Sequence, residues 1–169
     1  EILDNTLESI SGNGIYINSN ADNGVISNNT LTSITSSSYG IYVGSGSDSL
    51  TVNDNNLENI TGVGIYFENG NGPEISNNSI INSSNTAIYL NSSSSSGSIS
   101  NNLIEGGGSQ GIYLNSSVTY ANISGNEITG KGSEGIYLNQ NCSYTVIDGN
   151  IISGNGYGIY LYNNNDNVD

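Results

Sequence analysis

A four-residue phrase with tyrosine at its third position recurs along the chain, and this repetition constrains the fold more than any other feature. The phrase reads Gly-Ile-Tyr followed by Ile, Val, Phe or Leu, and one copy has Ala in place of Gly. Its seven copies begin at residues 14, 40, 64, 87, 111, 135 and 158, so the steps are 26, 24, 23, 24, 24 and 23 residues. Repetition at a period of this size indicates a solenoid.

A second phrase, Ile-x-x-Asn-x-Leu or Ile-x-x-Asn-x-Ile, keeps the same step, with Val at its first position in one copy. In the first phrase, apolar residues alternate with the tyrosine, which is the two-residue period of a β-strand. The second phrase adds two more short strands to each repeat, and Gly, Asn and Ser fill the gaps between strands. None of these runs is long enough for a helix.

A unit of three short strands cannot bury its apolar side alone, whereas parallel stacking of the units closes an interior of Ile, Leu and Val. The sequence therefore predicts an all-β fold: a right-handed parallel β-helix of about seven coils of 23–26 residues, with three short strands per coil. We expect residues 1–169 to form one such domain. Both ends of the sequence fall within a repeat and neither resembles a cap, so we also expect an uncapped fragment of a longer repeat protein.

The asparagine of the second phrase is predicted to form a structural ladder. Stacked one coil above another, these side chains would pass amide hydrogen bonds along the solenoid. The bend between two strands needs a residue that tolerates positive φ, and asparagine is the best choice after glycine, so we assign the bend to the same residues. The ladder positions are Asn5, Asn29, Asn55, Asn78, Asn102, Asn126 and Asn150.

The two phrases together, I-x-x-N-x-I followed by G-I-x-L, resemble the parallel β-helix repeat of the pectin-lyase-like superfamily. The resemblance covers the chain from Ile2 to Leu161. Repeats of this kind occur in polysaccharide lyases and hydrolases, in a periplasmic copper-maturation protein, and in adhesin-like surface proteins of bacteria and archaea. The resemblance implies the fold, but one scaffold serves all of these functions, so it does not choose between them.

Charge excludes several classes of partner. The net charge is −14, with fifteen acidic residues against one basic residue, so nothing would neutralise the phosphates of a nucleic acid or an anionic membrane. Apolar stretches are only a few residues long, so we find no signal peptide and expect no direct insertion into a membrane.

The single cysteine, Cys142, allows no internal disulfide, and its alignment with Ala21 and Asn71 indicates a small loop residue, with a reactive thiol as the alternative.

The resemblance implies that an enzyme would carry either a base beside carboxylate-bound calcium or a cluster of aspartates. The chain has no His, no Arg and one Lys, and no residues match the lyase site. Asp4 and Asp54 share a turn position two coils apart, about 9–10 Å by the spacing of strands, which is in the range of an inverting glycosidase. Asp22 and Asp48 share a loop position on adjacent coils and are the calcium candidate. Because aspartate is an ordinary turn residue, we predict no catalytic residue and no obligatory cofactor.

The tyrosine of the first phrase is predicted to point outward, because strand alternation places its two neighbours inside. The seven tyrosines would form a column about 29 Å long, six steps of about 4.8 Å. Such a column reinforces the register of the coils by aromatic stacking. It could also be a docking strip, since exposed aromatic rings mark interfaces and sugar rings stack on them. The positions are Tyr16, Tyr42, Tyr66, Tyr89, Tyr113, Tyr137 and Tyr160.

The preferred function is a non-catalytic structural or adhesive β-helix, in a fibre-forming or adhesin-like protein outside a prokaryotic cell. The alternative is a β-helix that binds or degrades a polysaccharide. Expected partners are other copies of the chain, joined end to end, or glycans and proteins of a cell surface. Eight sequons are candidate glycosylation sites and are consistent with this location. They are Asn28, Asn59, Asn77, Asn82, Asn91, Asn115, Asn122 and Asn141.

Overall fold

Short parallel β-strands make up the regular structure of the chain. The computed structural model describes residues 1–92 and 94–169, without the side chains of residues 36–38, and these residues form nineteen strands and no helix. The strands are β1 (Ile2–Leu3), β2 (Thr6–Glu8), β3 (Ile15–Ile17), β4 (Val25–Ser27), β5 (Thr30–Val43), β6 (Thr51–Asn53), β7 (Asn56–Phe67), β8 (Glu74–Ser76), β9 (Ser79–Ile81), β10 (Ile88–Leu90), β11 (Ser98–Ser100), β12 (Leu103–Glu105), β13 (Ile112–Leu114), β14 (Asn122–Ser124), β15 (Glu127–Thr129), β16 (Glu134–Gln140), β17 (Val146–Asp148), β18 (Ile151–Ser153) and β19 (Tyr157–Asn163).

The strands stack in register, one coil on the next. The first strand of every coil lies in a seven-stranded sheet of order β1-β4-β6-β8-β11-β14-β17, and the second and third strands lie in a twelve-stranded sheet. Pairing follows the repeat position by position: Ile88 pairs with Ile112, and Ile112 with Ile136. This is a parallel β-solenoid of about seven turns, and it confirms the predicted coil architecture.

The prediction of three separate strands in every coil is wrong for two coils. In β5 and β7 the second and third strands are continuous, and pairing runs across the corner through Ile34 with Ile60 and Tyr39 with Val63. Both isoleucines are fully buried, so the corner of these two coils is apolar and its backbone pairs as a strand would. A register shift between Ile34 and Ser38 accommodates the longer coil.

The interior is a narrow column of aliphatic side chains. One coil illustrates the pattern: Ile112, Leu114, Ile123 and Ile128 are all fully buried, as the alternation within the phrases predicts. Each of them pairs with an aliphatic residue of the coil above and of the coil below, so a coil has no core without its neighbours. The fold therefore holds one continuous core along the described coils.

The sharp bend lies one residue before the ladder asparagine, so the assignment of positive φ to the asparagine itself is wrong. The left-handed conformation belongs to the preceding residue, as at Asn77 (φ 56) and Asn101 (φ 55). A ladder residue must aim its carboxamide inward, and the turn residue beside it is free to face solvent and take the unusual φ. The same position is Asp4, Asn28 and Asp54 in the first three coils and Gly125 and Gly149 in the last two.

Candidate functional site

The asparagine ladder crosses every coil on the inside of the solenoid. Asn102 is typical: its Oδ1 accepts hydrogen bonds from the backbone N–H and Nδ2 of Asn78, at 2.9 and 3.0 Å. Its own Nδ2 donates to Asn126 Oδ1 at 2.9 Å and to the carbonyl of Ile75 at 3.0 Å. The five central members are buried, whereas Asn5 is exposed and Asn150 is half-buried. Buried amides with so many partners leave no group for a ligand, so the ladder is structural.

The tyrosine column is continuous on the outside of the third strand. Neighbouring ring centroids lie 4.6–5.4 Å apart from Tyr16 to Tyr160. Five of the six contacts are stacked, with interplanar angles of 10–29°, and only Tyr66 meets Tyr89 edge to face, at 85°. Tyr16 is 54 % exposed, whereas the five central rings are half-buried.

Stacking changes what the column can bind. A ring whose two faces lie against neighbouring tyrosines presents only its edge and its hydroxyl, so a sugar ring cannot stack on it. Stacking of a sugar on the ring faces is therefore blocked at the five stacked contacts, and the docking strip stays a prediction for partners that contact the ring edges and hydroxyls. The exception is the edge-to-face step between Tyr66 and Tyr89, where the contact continues but the rings are not stacked face to face.

Asparagines beside the column bind the tyrosine hydroxyls, which the repeat pattern did not predict. Asn139 Nδ2 donates to Tyr113 Oη at 3.0 Å and to Asn115 Oδ1 at 2.6 Å. Asn115 Nδ2 donates to Asn91 Oδ1 at 2.8 Å, and Asn91 Nδ2 donates to Tyr66 Oη at 3.0 Å. A second, outer row of asparagines thus runs alongside the rings. The signal was present in the sequence, since asparagine directly follows three consecutive copies of the tyrosine phrase.

Burial and hydrogen bonding shift the pKa values of side chains in and beside the column. Burial is the main cause that raises the pKa of Tyr89 to about 12, with the neighbouring Tyr113 adding to it. Burial also raises the pKa of Tyr42, whose hydroxyl donates to Glu68 Oε2 at 2.7 Å. That hydrogen bond in turn lowers the pKa of the Glu68 carboxyl. Tyr42 and Tyr89 therefore stay neutral, and Glu68 stays ionised, around neutral pH.

A surface groove of about 410 Å³ lies beside Tyr39, which is not a member of the column. Tyr39 forms one wall, with its ring tilted against Tyr42 at 5.0 Å and Tyr66 at 4.8 Å. The rest of the lining is polar and uncharged, apart from the backbone of Gly62 and the buried Val63. The polar lining residues are Thr61, Ser84, Asn85 and Ser109. Hydroxyls and one amide beside an aromatic ring suit a neutral ligand that hydrogen-bonds.

The only lysine lies inside the solenoid, which the sequence analysis missed. Lys131 is 2 % exposed, and its Nζ donates to the carbonyl of Gly106 at 2.8 Å and to Ser83 Oγ at 3.3 Å. Gly107 stands between them and has no side chain, so the lysine reaches across a whole coil. Burial lowers the pKa of the Lys131 amine to about 8.

Three of the four carboxylates in the two acidic pairs accept local hydrogen bonds. Asp22 Oδ1 accepts the backbone N–H of Asp48 at 3.0 Å, and Asp48 Oδ1 accepts that of Asn71 at 2.7 Å, so both carboxylates cap turns. Asp4 and Asp54 occupy outward turns, and Asp54 Oδ2 accepts from Asn53 at 2.6 Å. Within residues 1–92 and 94–169, no group of three or more Asp, Glu, His or Cys side chains is placed to hold a metal ion.

Cys142 lies in the loop between β16 and β17, as its alignment predicts, but its side chain packs into the core. It is fully buried, and burial raises the pKa of its thiol, which makes the thiol unreactive. The equivalent residue of the third coil is the buried Gly70, not Asn71, because its N–H donates to Ser94 Oγ in the same inward column.

The sequons fall into two groups. Asn91 and Asn115 are half-buried, and their Nδ2 atoms already donate to Tyr66 and Asn91 respectively. The remaining six are exposed, which keeps them as candidates: Asn28, Asn59, Asn77, Asn82, Asn122 and Asn141. Across the described part of the chain, no helix has the length and apolar character to span a membrane.

Comparison with known proteins identifies the family. A family model described as a right-handed β-helix region matches residues 39–169. Among solved structures, the chain is similar to the A-module of the mannuronan C-5 epimerase AlgE4 of Azotobacter vinelandii, at 12 % identity over 97 % of this chain and 80 % of that chain. The TM-score is 0.26, which supports no inference about function. No curated protein matches the sequence. The match to the family model covers more than half of the chain and carries the predicted handedness, and the chain therefore belongs to the right-handed β-helix family.

Proposed function

We propose that the chain is a non-catalytic structural and adhesive β-helix that acts outside a prokaryotic cell. The observation that carries this proposal is the pair of unbroken columns, asparagine inside and tyrosine outside, that cross all the coils. Each column ties every coil to the next, so the solenoid is a stiff rod. A stiff rod suits a spacer or fibre that holds a binding surface away from a cell.

The placement of the only lysine supports a role without catalysis. A lyase of the kind that this fold can host needs a basic side chain at its surface, beside the substrate. Here the amine of Lys131 lies in the interior, where it donates to Gly106 and Ser83. The two aspartate pairs add no support for a hydrolase, because three of their four carboxylates accept hydrogen bonds from neighbouring groups.

We place the binding surface at the groove beside Tyr39 rather than along the column. The groove offers one aromatic wall with hydroxyl and amide groups, which are the groups that bind a neutral sugar. With a net charge of −14, the chain should repel acidic polysaccharides. A neutral glycan of a cell surface is therefore the proposed ligand.

Electrophoresis through gels that contain one polysaccharide each tests the binding surface. We expect a neutral polysaccharide to retard the chain and the Tyr120→Ala variant equally, because Tyr120 is exposed and does not line the groove. The Tyr39→Ala variant should migrate as in an empty gel. Equal retardation of both variants would place binding elsewhere, and absence of retardation in all gels would refute a glycan-binding role.

The same polysaccharides test the alternative of a degrading enzyme. We expect no new reducing ends and no unsaturated products after long incubation, with or without added calcium. Product formation above that of a heat-denatured sample would establish the enzyme and overturn the proposal. End-to-end association of copies stays a prediction, which light scattering across a range of salt concentrations measures.

A further inference from the structure

Two tyrosines lie outside the column and occupy an unusual position. Tyr120 and Tyr144 both have φ of 57°, the left-handed conformation that a bulky side chain rarely adopts. The other coils place small or flexible residues at this turn, also at positive φ: Asn23, Ser49, Gly72, Ser96 and Asn167. Strained backbone that persists in a fold points to a function for the residue that bears it.

The two rings form an isolated, exposed pair. Their centroids lie 4.9 Å apart and their planes differ by 7°, the most parallel contact among the described tyrosines. Tyr120 is 59 % exposed and Tyr144 is 50 % exposed, so the core does not need either ring. The backbone holds them in register, because Tyr120 N–H donates to the carbonyl of Ser143 at 3.1 Å and Tyr144 N–H to that of Asp166 at 2.9 Å.

This geometry suits a reaction between the rings better than capture of a flat ligand. Each ring covers one face of the other, and the edges, which carry the hydroxyls and the carbons ortho to them, lie side by side. The rings are parallel, in register and open to solvent. We propose that Tyr120 and Tyr144 are a site of oxidative cross-linking, at which a peroxidase-type oxidant using hydrogen peroxide joins them as dityrosine.

The reaction balances without any group from the protein's interior. Each phenol loses one electron to the oxidant and one proton to solvent, which gives two tyrosyl radicals. The radicals couple through a carbon–carbon bond between their ortho carbons. The hydrogen on each of these carbons then leaves as a proton while each ring oxygen gains one, which restores two phenols. In total two electrons and two protons reduce one hydrogen peroxide to two waters.

The bond would tie together the turns that precede β14 and β17. The two residues are 24 positions apart, 120 to 144, so the link would close one full coil. A covalent tie of this kind restricts the unfolded chain and stabilises the fold, as a disulfide does in other extracellular proteins. The cross-link between Tyr120 and Tyr144 requires no glycan, so this proposal is independent of the function proposed above.

Trypsin gives a direct assay on the full chain. The only Lys or Arg is Lys131, which lies between the two tyrosines, so complete digestion of the denatured chain yields two fragments. After oxidation with peroxidase and hydrogen peroxide at low protein concentration, we expect the fragments to stay joined. The joined species should show dityrosine fluorescence and a mass two hydrogen atoms below the sum of the two fragments.

Two Phe variants identify the pair, because phenylalanine keeps the ring but cannot form the phenoxyl radical. Tyr144→Phe should release two separate fragments. Tyr137→Phe is the matched control, since the stacked pair of Tyr113 and Tyr137 also spans Lys131, and it should stay joined. Separation in Tyr137→Phe with joining in Tyr144→Phe would assign the link to the column and overturn the proposal. Separate fragments from the oxidised parent chain, or covalent dimers alone, would overturn it equally.

Discussion

The inner asparagine ladder and the outer tyrosine column have the same period, yet different forces hold them. The ladder repeats one geometry, with Nδ2 to Oδ1 distances of 2.9–3.0 Å at every step. The column varies, with interplanar angles between 10° and 85°. A buried amide that misses its partner costs free energy, whereas an outer ring can tilt into water. The period therefore reports the register of the coils, and burial decides how much stability each column contributes.

The strongest test of this difference compares two variants of β13, one with a carboxylate on the inner face and one with a carboxylate on the outer face. Ile112→Asp buries a carboxylate in the core, and we expect a loss of more than about 4 kcal/mol, enough to prevent folding. Tyr113→Asp places the same charge on the adjacent, half-buried outer position and should cost about 2–3 kcal/mol, from the lost stacking and the partly buried charge. Thermal unfolding followed by circular dichroism compares them. Equal losses would mean that the two faces of β13 are not distinct.

The next test removes one amide from the ladder. In Asn102→Leu, the N–H and Nδ2 of Asn78 lose their acceptor and the carbonyl of Ile75 loses a donor. We expect a cost of about 2–5 kcal/mol in the free energy of unfolding, measured with denaturant. Asn101→Gly is the control, because Asn101 is exposed at φ 55 and glycine adopts that conformation freely. A similar loss in both variants would assign the cost to the turn and not to the ladder.

The sequence predicts much of this architecture because one alignment of the repeats determines the strand register. The ladder and the column are both read from a residue type that recurs every 23–26 positions. Ring orientation cannot be read in this way, because a period predicts where Tyr66 and Tyr89 lie but not the side-chain torsions that set their planes at 85°. The positive φ was assigned to the wrong member of each Asn-Asn pair for a related reason: both residues tolerate the bend, and only the inward side chain of the second decides between them.

An alignment of the repeats could also have predicted that Lys131 points inward. The residues equivalent to Lys131 in the first three coils are isoleucines, namely Ile10, Ile34 and Ile60, and isoleucine indicates an inward position. The burial of Lys131 was not predicted because a lysine is rarely buried. In addition, its partner Ser83 lies 48 residues away, two coils along the solenoid. Only the empty space at Gly107 makes that contact possible.

The pH dependence of stability tests Lys131, a buried polar residue that does not belong to the asparagine ladder. Its pKa is about 8 in the fold and 10.5 in the unfolded chain, so the folded state loses its proton first as the pH rises. Stability should therefore increase between pH 8 and pH 10, by up to about 1.4 kcal/mol per pH unit. Lys131→Met should remove this increase, measured as denaturant midpoints at several pH values. An unchanged slope in the variant would show that another group is responsible.

The smallest expected effect separates the middle of the tyrosine column from its end. Tyr113 stacks on Tyr89 at 4.6 Å and on Tyr137 at 4.8 Å, and its hydroxyl accepts from Asn139. Tyr16 stacks only on Tyr42, at 4.7 Å. Since each aromatic contact contributes about 0.5–1 kcal/mol, Tyr113→Leu should cost about 1–2 kcal/mol and Tyr16→Leu about half of that. Leucine keeps an apolar side chain on the strand, so the difference between the two denaturation midpoints measures the second stacking contact together with the hydrogen bond from Asn139. Equal midpoints would mean that the rings only cover the strand, and that the ladder and core alone hold the coils in register.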